Sequence, residues 1–307
     1  MTPAPYDLRG KGVLVTGASS GIGRALAGQL AAGGARLAIV ARRRQRLEQL
    51  ADEVVASGGR RPVVLTGDLG RRGEAARLAR EAVARLGAVD VLVNNAGGGV
   101  GGSVWAVADR DEARTDFEVD FWSHLAFIGE LVPLMRRRGE GAVVNVTSIR
   151  QVMSWPSFGH NTAAKAALAS VTETLRLELA PYGVHVVEVI PGPVDTHALG
   201  PARLIPGMVD TLQGRLGLAQ PEEVAAQVVE AIRHRAERVF APEATTRGAY
   251  EEPFAFRQEV ARSVRQGLGT PAAPARPDDL VDTLVVGGDH PLVVQAREDW
   301  EASRDAG

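Results

Sequence analysis

Residues 12–23 of this chain read GVLVTGASSGIG, a β-branched run that passes directly into a cluster of glycines and small residues. Gly17, Gly21 and Gly23 lie at the start of a helical pattern that extends from Ile22 to Ala32. Glycine at such a junction permits a tight turn and close approach of another group, and a helix N-terminus presents unpaired N–H groups to an anion. The stretch therefore predicts a strand, a phosphate-binding turn and a helix.

The same alternation of short β-branched runs and amphipathic stretches continues along the chain. Strands are predicted at Gly12–Thr16, Arg36–Val40, Pro62–Thr66, Val89–Asn94, Ala142–Thr147, Val184–Val189 and, as a last short strand, Val239–Phe240. Helices are predicted at Ile22–Ala32, Arg43–Ser57, Gly73–Leu86, about Asp111–Arg138, about Asn161–Leu179 and Glu222–Arg235. Right-handed crossovers between such units give an α/β fold of three layers, a doubly wound parallel sheet with its ligand crevice at the carboxyl ends of the strands.

Four further landmarks follow the glycine motif in register: Asn94–Gly97, Ser148, Lys165 and Pro191–Thr196. In order and spacing these motifs resemble the short-chain dehydrogenase/reductases, and the resemblance covers residues from about 8 to 242. It implies a Rossmann-type fold and a nicotinamide dinucleotide cofactor. It also implies a homodimer or homotetramer that uses the two long helices as its subunit face.

We predict a dinucleotide-binding and catalytic domain over residues 1–242 and a C-terminal extension over residues 243–307. The extension contains the proline-rich stretch Thr270–Pro277, interpreted as a linker, and either covers the active site or contacts a second subunit. Its sequence shows no continuation of the βαβ alternation.

Composition limits the partners of this chain. Its 35 basic and 37 acidic residues give a net charge of -2, so no global field favours a nucleic acid or an anionic membrane. There is no cysteine, which excludes disulfides and thiolate catalysis. No apolar run approaches the ~20 residues that span a bilayer. We therefore expect a cytoplasmic protein with a small-molecule substrate and no metal site.

The end of the second predicted strand favours NADP(H) over NAD(H). No acidic residue follows Ala41 to accept a bond from a ribose 2′-hydroxyl, and Arg42, Arg43 and Arg44 come next, which suits a 2′-phosphate. The resemblance assigns that contact to Arg42 with Ser19. It further implies that the dinucleotide contacts Gly17, Ser20, Gly21, Ile22, Gly23, Asp68, Leu69, Asn95, Ala96, Gly97, Lys165, Pro191, Gly192, Val194 and Thr196, with Thr196 at the nicotinamide carboxamide.

The catalytic positions of the family are only partly kept. Ser148 and Lys165 fit the pattern, as the groups that hold the substrate oxygen and the nicotinamide ribose. Asn161 stands where the family has the tyrosine that transfers a proton, and Asp120 stands where it usually has an asparagine that anchors a relay water. A side-chain amide neither gains nor loses a proton near neutral pH, so Asn161 can orient an oxygen but cannot act as acid or base.

Replacement proton donors are few. The only tyrosines are Tyr6, Tyr182 and Tyr250, and none is in register with position 161. His160 is a candidate because histidine is a common proton donor, but it is interpreted as a solvated helix cap. Asp120 is interpreted as a partner of Lys165.

Other residues near the predicted site have plainer interpretations. Arg150 could bind an acidic group, although a solvent-facing loop position is the favoured interpretation. Trp105, Trp122, Trp155 and Phe158 could form an apolar pocket, but core or interface positions are more usual for such side chains.

Three functional hypotheses follow. The first is an NADP(H)-dependent oxidoreductase that takes its proton from water, the substrate, His160 or Asp120, and that suits an activated electrophile such as an iminium or a conjugated alkene. The second is a redox-neutral isomerase, cyclase or lyase in which Ser148 and Asn161 orient an oxygen. The third is a non-catalytic protein that binds the cofactor. The retained cofactor motif, Ser148 and Lys165 disfavour the third hypothesis, and we favour the first over the second.

Overall fold

The computed structural model describes residues 5–99, 102–154, 158–199, 208–255 and 257–258. Seven strands pair in one parallel sheet: β1 (Gly12–Thr16), β2 (Arg36–Ala41), β3 (Val63–Thr66), β4 (Val91–Asn94), β5 (Gly141–Val146), β6 (Val184–Pro191) and β7 (Arg238–Ala241). The sheet order is β3-β2-β1-β4-β5-β6-β7, and every pairing between neighbours is parallel. The Rossmann-type doubly wound fold predicted from the sequence is confirmed.

Ten α-helices are found in the described residues. They are α1 (Gly21–Ala32), α2 (Arg44–Ala56), α3 (Glu74–Leu86), α4 (Val104–Val107), α5 (Asp111–Phe117), α6 (Ser123–Arg138), α7 (Gly159–Leu179), α8 (Met208–Leu216), α9 (Pro221–His234) and α10 (Glu243–Glu251). Short 3-10 turns lie at Ile149–Gln151, Ala180–Tyr182 and His197–Leu199.

Strand side chains alternate between two apolar cores, one on each face of the sheet. In β1, Val13 and Val15 face the core shared with α1, α2 and α9, whereas Leu14 faces the core shared with α3, α6 and α7. Successive side chains of a strand point to opposite faces, so a strand that is apolar at every position is buried on both sides. The sheet and its two helix layers therefore form the three layers expected from the sequence.

The chain reverses its winding direction at β1, because β1 pairs with β2 on one side and with β4 on the other. In open parallel sheets a ligand crevice forms at this point, outside the carboxyl ends of the strands. The segments that begin at Gly17, Arg42 and Asn95 all leave the sheet there.

The structure differs from the predicted helices in four places. The single helix expected over Asp111–Arg138 is interrupted by a π-helical turn at Glu118–Trp122. Helices α4 and α8 were not predicted. A helix also follows β7: α10 buries Thr246 and Ala249, and its Tyr250 ring packs edge-on against Phe240 with centroids 5.3 Å apart.

Helix α10 lies within the predicted C-terminal extension. The division at residue 242 stays a prediction, but the first helix beyond it packs on β7 as part of the same body. The linker at Thr270–Pro277, the lid or subunit-contact role of the tail, and Trp155 all lie outside the described residues.

Candidate active site

The glycine turn between β1 and α1 has little room for side chains. Gly17 and Gly21 adopt φ angles of +69° and +54°, in the left-handed region that favours glycine. A Cβ atom at Gly17 would lie 2.9 Å from Cα of Ala96, and one at Gly23 would lie 2.6 Å from the carbonyl oxygen of Gly17. The side chain of Ser20 does not cap α1, so the first N–H groups of the helix are left for an anion. The turn fits a pyrophosphate.

A cleft of about 850 Å³ opens beside this turn. Most of the predicted dinucleotide contacts line it, namely Gly17, Ser19, Ser20, Gly21, Ile22, Arg42, Asp68, Leu69, Asn95, Ala96, Gly97 and Thr196. Residues from α5 and the π turn, together with Arg150 and Phe158, complete the walls. The structure thus brings together segments that follow six different strands, β1 to β6.

The other predicted dinucleotide contacts do not line the cleft and stay predictions, namely Gly23, Lys165, Pro191, Gly192 and Val194. Gly23 lies beneath the turn, and the Val194 side chain is part of the core. The backbone N–H of Gly192 donates to Ala241 at 2.7 Å. The segment after β6 places Thr196 against Gly21. A Cβ atom added at Gly21 would lie 2.9 Å from the methyl carbon of Thr196.

The arginines after β2 adjoin the glycine turn. Arg42 and Arg43 both line the cleft, and Nη2 of Arg43 donates to the hydroxyls of Ser19 at 3.1 Å and Ser20 at 2.9 Å. Arg43 was not singled out from the sequence, where its role could not be separated from that of its neighbours. Arg44 belongs to α2 and pairs with Glu48 on the surface, as expected for a solvated arginine.

An amide network fixes the end of β4. The Asn94 amide donates to Asn145 at 2.9 Å, and Asn145 donates to the hydroxyl of Thr172 at 2.9 Å, which ties β4, β5 and α7 together. Asn95 donates to the carbonyl oxygen of Thr16 at 2.9 Å. These buried bonds set the position of the loop that forms one wall of the cleft.

Asp120 and Lys165 form a buried ion pair. Their side chains are 0% and 8% exposed, and the Lys165 ammonium lies 3.2 Å from Oδ1 of Asp120. The ammonium also donates to the Val146 carbonyl oxygen at 3.0 Å, and the same Oδ1 accepts from the N–H of Gly98 at 3.3 Å. Asp120 lies in the π turn, a local irregularity that is frequent at functional sites.

Asn161 joins this pair through its amide. Its Nδ2 donates to Oδ2 of Asp120 at 3.0 Å and to the carbonyl oxygen of Gly98 at 2.8 Å. Asn161 is only 4% exposed, and it does not line the cleft. Its amide therefore holds the Gly98 loop against the ion pair.

Arg150 does not face solvent from a loop, and the interpretation favoured from the sequence is wrong on this point. Its Nη1 donates to Oδ1 of Asn161 at 2.9 Å, and its guanidinium carbon lies 4.2 Å from the ring centroid of Phe158. Burial lowers the pKa of Arg150 to about 10, while the nearby carboxylate of Asp120 opposes that shift. The side chain remains a cation at neutral pH and lines the cleft.

Ser148 lies two residues after the end of β5 and directly precedes the 3-10 turn. Its hydroxyl oxygen accepts a bond from the N–H of Arg150 at 3.2 Å, so it starts the 3-10 turn and remains half-buried. The hydroxyl hydrogen is left to donate to a ligand. Ser148 thus caps the turn, and its role as a substrate contact stays a prediction.

The alternative proton donors are directed elsewhere. His160 Nε2 lies 2.8 Å from the carbonyl oxygen of Ala108, which takes the imidazole towards α4. Tyr250 packs against Phe240 in α10. Asp120 is committed to Lys165 and Asn161.

His124 is a buried residue that sequence reasoning missed. Its Nε2 lies 3.0 Å from the carbonyl oxygen of Ala96, which makes that nitrogen the donor, and Nδ1 has no protein partner in the described part of the chain. Burial and the charge of Lys165 lower the pKa of His124 to about 3, so the ring is neutral. The sequence signal for His124 is its spacing of four residues from Asp120, which places the two side chains on the same face of a helix.

Within the described ranges, no group of three or more histidine, cysteine, aspartate or glutamate side chains is arranged to hold a metal ion. None of the helices in those ranges has the length and apolar character needed to cross a membrane.

Comparisons with known proteins agree with the fold and the cleft. The family model described as short chain dehydrogenase matches residues 11–204. An uncharacterized oxidoreductase of Mycobacterium tuberculosis is 32% identical over 239 residues, which are 76% of this chain and 67% of the relative.

Two solved structures are also similar. A short chain dehydrogenase/reductase from Burkholderia phymatum in complex with NAD has a TM-score of 0.70 at 26% identity, covering 87% of this chain and 99% of that one. A metagenomic short-chain oxidoreductase in complex with NADP has a TM-score of 0.63 at 28% identity, covering 76% of this chain and 98% of that one.

The glycine turn, the order of the strands and the match over residues 11–204 all lead to one assignment. This chain belongs to the short-chain dehydrogenase/reductase family and is an oxidoreductase.

Proposed function

We propose that the protein is an NADP(H)-dependent oxidoreductase that acts on a small organic substrate without a side-chain acid or base at position 161. The observation that carries this proposal is the pair of arginines beside the glycine turn. Arg42 and Arg43 line the cleft, and no acidic residue follows β2 to accept from a ribose hydroxyl. A guanidinium at this place favours a 2′-phosphate.

The described residues fit a dinucleotide. The turn has the close backbone approaches that a pyrophosphate needs, and α1 begins without a side-chain cap. Asp68 and Leu69 line the cleft after β3, beside Gly67. The similar metagenomic oxidoreductase was solved with NADP and the Burkholderia phymatum protein with NAD, so the family fold alone does not decide between the two cofactors.

The nicotinamide group, when bound, supplies or accepts a hydride. The chain's own contribution is to bind and orient. We assign to the Ser148 hydroxyl the role of donating to a substrate oxygen, because its oxygen accepts from the N–H of Arg150 and its hydrogen is left for another acceptor. The Asn161 amide and the Asp120 carboxylate are engaged with each other. The proton must then come from water or from the substrate itself, which suits an electrophile that is already activated, such as an iminium or a conjugated alkene.

The first experiment is a calorimetric titration of the protein with NADPH and, separately, with NADH. Arg42→Ala and Arg43→Ala should each weaken NADPH binding about 10-fold to 150-fold and leave NADH binding nearly unchanged, because a charge-assisted hydrogen bond contributes about 1.5–3 kcal/mol. Arg44→Ala is the matched control, since Arg44 is a neighbouring cation that pairs with Glu48.

Equal weakening by all three replacements would show only a general charge effect. Absence of binding to either cofactor would contradict the proposal and favour a redox-neutral or non-catalytic protein on the same fold.

We also propose that the protein is a homodimer or homotetramer that uses the outer faces of α6 and α7. Trp122, which directly precedes α6, is 53% exposed, and Leu177 of α7 is 71% exposed. Exposed large apolar side chains are typical of subunit contacts. Trp122→Glu should convert the oligomer to a smaller species in sedimentation velocity, whereas Val55→Glu on α2 should not. A wild-type monomer at micromolar concentration would contradict this assignment.

A further inference from the structure

Arg150 is held in a fixed position at the cleft. It lies in the 3-10 turn Ile149–Gln151 after Ser148, and it is anchored through Nη1 to Oδ1 of Asn161 at 2.9 Å. The face of the guanidinium packs on Phe158, with 4.2 Å between the guanidinium carbon and the ring centroid. A cation that is both stacked and hydrogen-bonded loses little further side-chain freedom when a ligand binds.

Part of the guanidinium has no partner of its own. In the described part of the chain, Nε and Nη2 of Arg150 donate to no protein atom, and neither nitrogen is sealed from solvent. Arg150 forms no ion pair with a described carboxylate, because Asp120 is paired with Lys165 instead. The positive charge of Arg150 is thus left without a direct counter-ion.

The surroundings of Arg150 strengthen its attraction for an anion. The residue is half-buried, and its pKa is lowered to about 10 by burial, so it is a partly desolvated cation at neutral pH. Electrostatic attraction is stronger where water is partly excluded. A guanidinium presents two parallel N–H groups, which match the two oxygens of a carboxylate.

The same geometry explains what occupies the space beyond Asn161. The asparagine side chain is short, and Nη1 of Arg150 lies one hydrogen-bond length past its amide oxygen. A guanidinium there donates hydrogen bonds but does not release its proton, so it can hold a negatively charged oxygen without acting as an acid.

We propose that Arg150 is the substrate-binding cation of this cleft and that the substrate carries a carboxylate bound by it. This inference rests on the proposed function, because it places the substrate in the cleft that would hold the dinucleotide. Four acidic residues line the same cleft: Asp111, Glu112 and Asp116 of α5, and Asp68 after β3. The cleft therefore carries both signs of charge, and Arg150 marks the place where an anion is favoured.

The test is a calorimetric titration of the NADP⁺-saturated protein with acetate, phenylacetate and benzoate, each compared with its primary amide. At least one of the three carboxylates should bind at least 10-fold more tightly than its amide. Arg150→Met should abolish that preference, and Arg150→Lys should keep part of it, because the charge remains but the planar pair of donors is lost. Arg257→Met is the matched control, since Arg257 is an exposed cation that donates to Val152 of the same loop at 2.7 Å.

The inference is overturned if all three carboxylates bind no better than their amides, or if the preference survives in Arg150→Met. It is also overturned if Arg257→Met loses the preference equally. Titration of every variant with NADPH separates this result from the proposed function: loss of the carboxylate preference with unchanged NADPH affinity assigns the effect to Arg150. Failure of the wild-type protein to bind NADPH would instead contradict the cofactor assignment, and the carboxylate titrations would then be made on the protein alone, with the same criteria.

Discussion

Replacement of Asp120 by alanine should lower the free energy of unfolding by about 3–5 kcal/mol, because it leaves the buried ammonium of Lys165 without its counter-ion. Lys165 would keep only the carbonyl oxygen of Val146, and the N–H of Gly98 would lose its acceptor. The side chain of Asp120 is fully buried, so water cannot readily take the place of the carboxylate. Equilibrium unfolding in urea, with the slope of the transition compared between variants, measures the effect.

Two controls distinguish a buried charge pair from a general effect of removing an acid. Asp52→Ala breaks a pair with Arg61 in which Asp52 is 69% exposed, and it should cost no more than about 1 kcal/mol. Asp120→Leu combined with Lys165→Met removes both charges and should recover much of the loss. If Asp120→Ala costs as little as Asp52→Ala, the ion pair between Asp120 and Lys165 does not exist in solution.

The combined replacement Asp120→Asn and Asn161→Tyr should raise carbonyl reductase activity about 10²-fold to 10⁴-fold, the usual contribution of a positioned proton donor. It restores both positions at which the chain departs from the family pattern. Asp120→Asn matters because a carboxylate beside the new phenol would raise the pKa of the phenol, whereas the positive charges of Lys165 and Arg150 would lower it. NADPH consumption with a panel of aromatic aldehydes gives the rate.

The matched control is Asp120→Asn with Asn161→Phe, which adds the same ring without the hydroxyl. A gain in the tyrosine variant alone would assign the activity to the phenol. Equal activity in the two variants would show that the cleft, through Arg150 and the Gly98 loop, no longer presents a carbonyl substrate to position 161.

The fold could be predicted almost completely from the sequence. The β-branched runs and amphipathic stretches are local signals, and they located all seven strands and most of the helices. The exceptions have local causes. Helix α4 has four residues, too few for a helical period to be visible, and the π turn at Glu118–Trp122 lies inside a pattern that is otherwise helical.

The candidate site could be predicted only where a residue's role follows from its place in a motif. Most of the predicted dinucleotide contacts line the cleft because they directly follow strands, and strand ends meet at one edge of a parallel sheet. Gly23 and Val194 do not line it, since a motif residue can also serve by shaping the backbone. The roles proposed for Ser148, Asn161 and Lys165 stay predictions.

The sequence by itself determined the family, the architecture and the absence of an acid or base at position 161, because these depend on residue identity and on short-range pattern. Only the tertiary structure decided what stands in place of that group. It brings Asp120 from the π turn to Lys165 on α7, and Arg150 from the loop after β5 to Asn161. Those contacts join segments 45 and 11 residues apart in the chain, and a side chain's direction across such a gap is set by packing and desolvation.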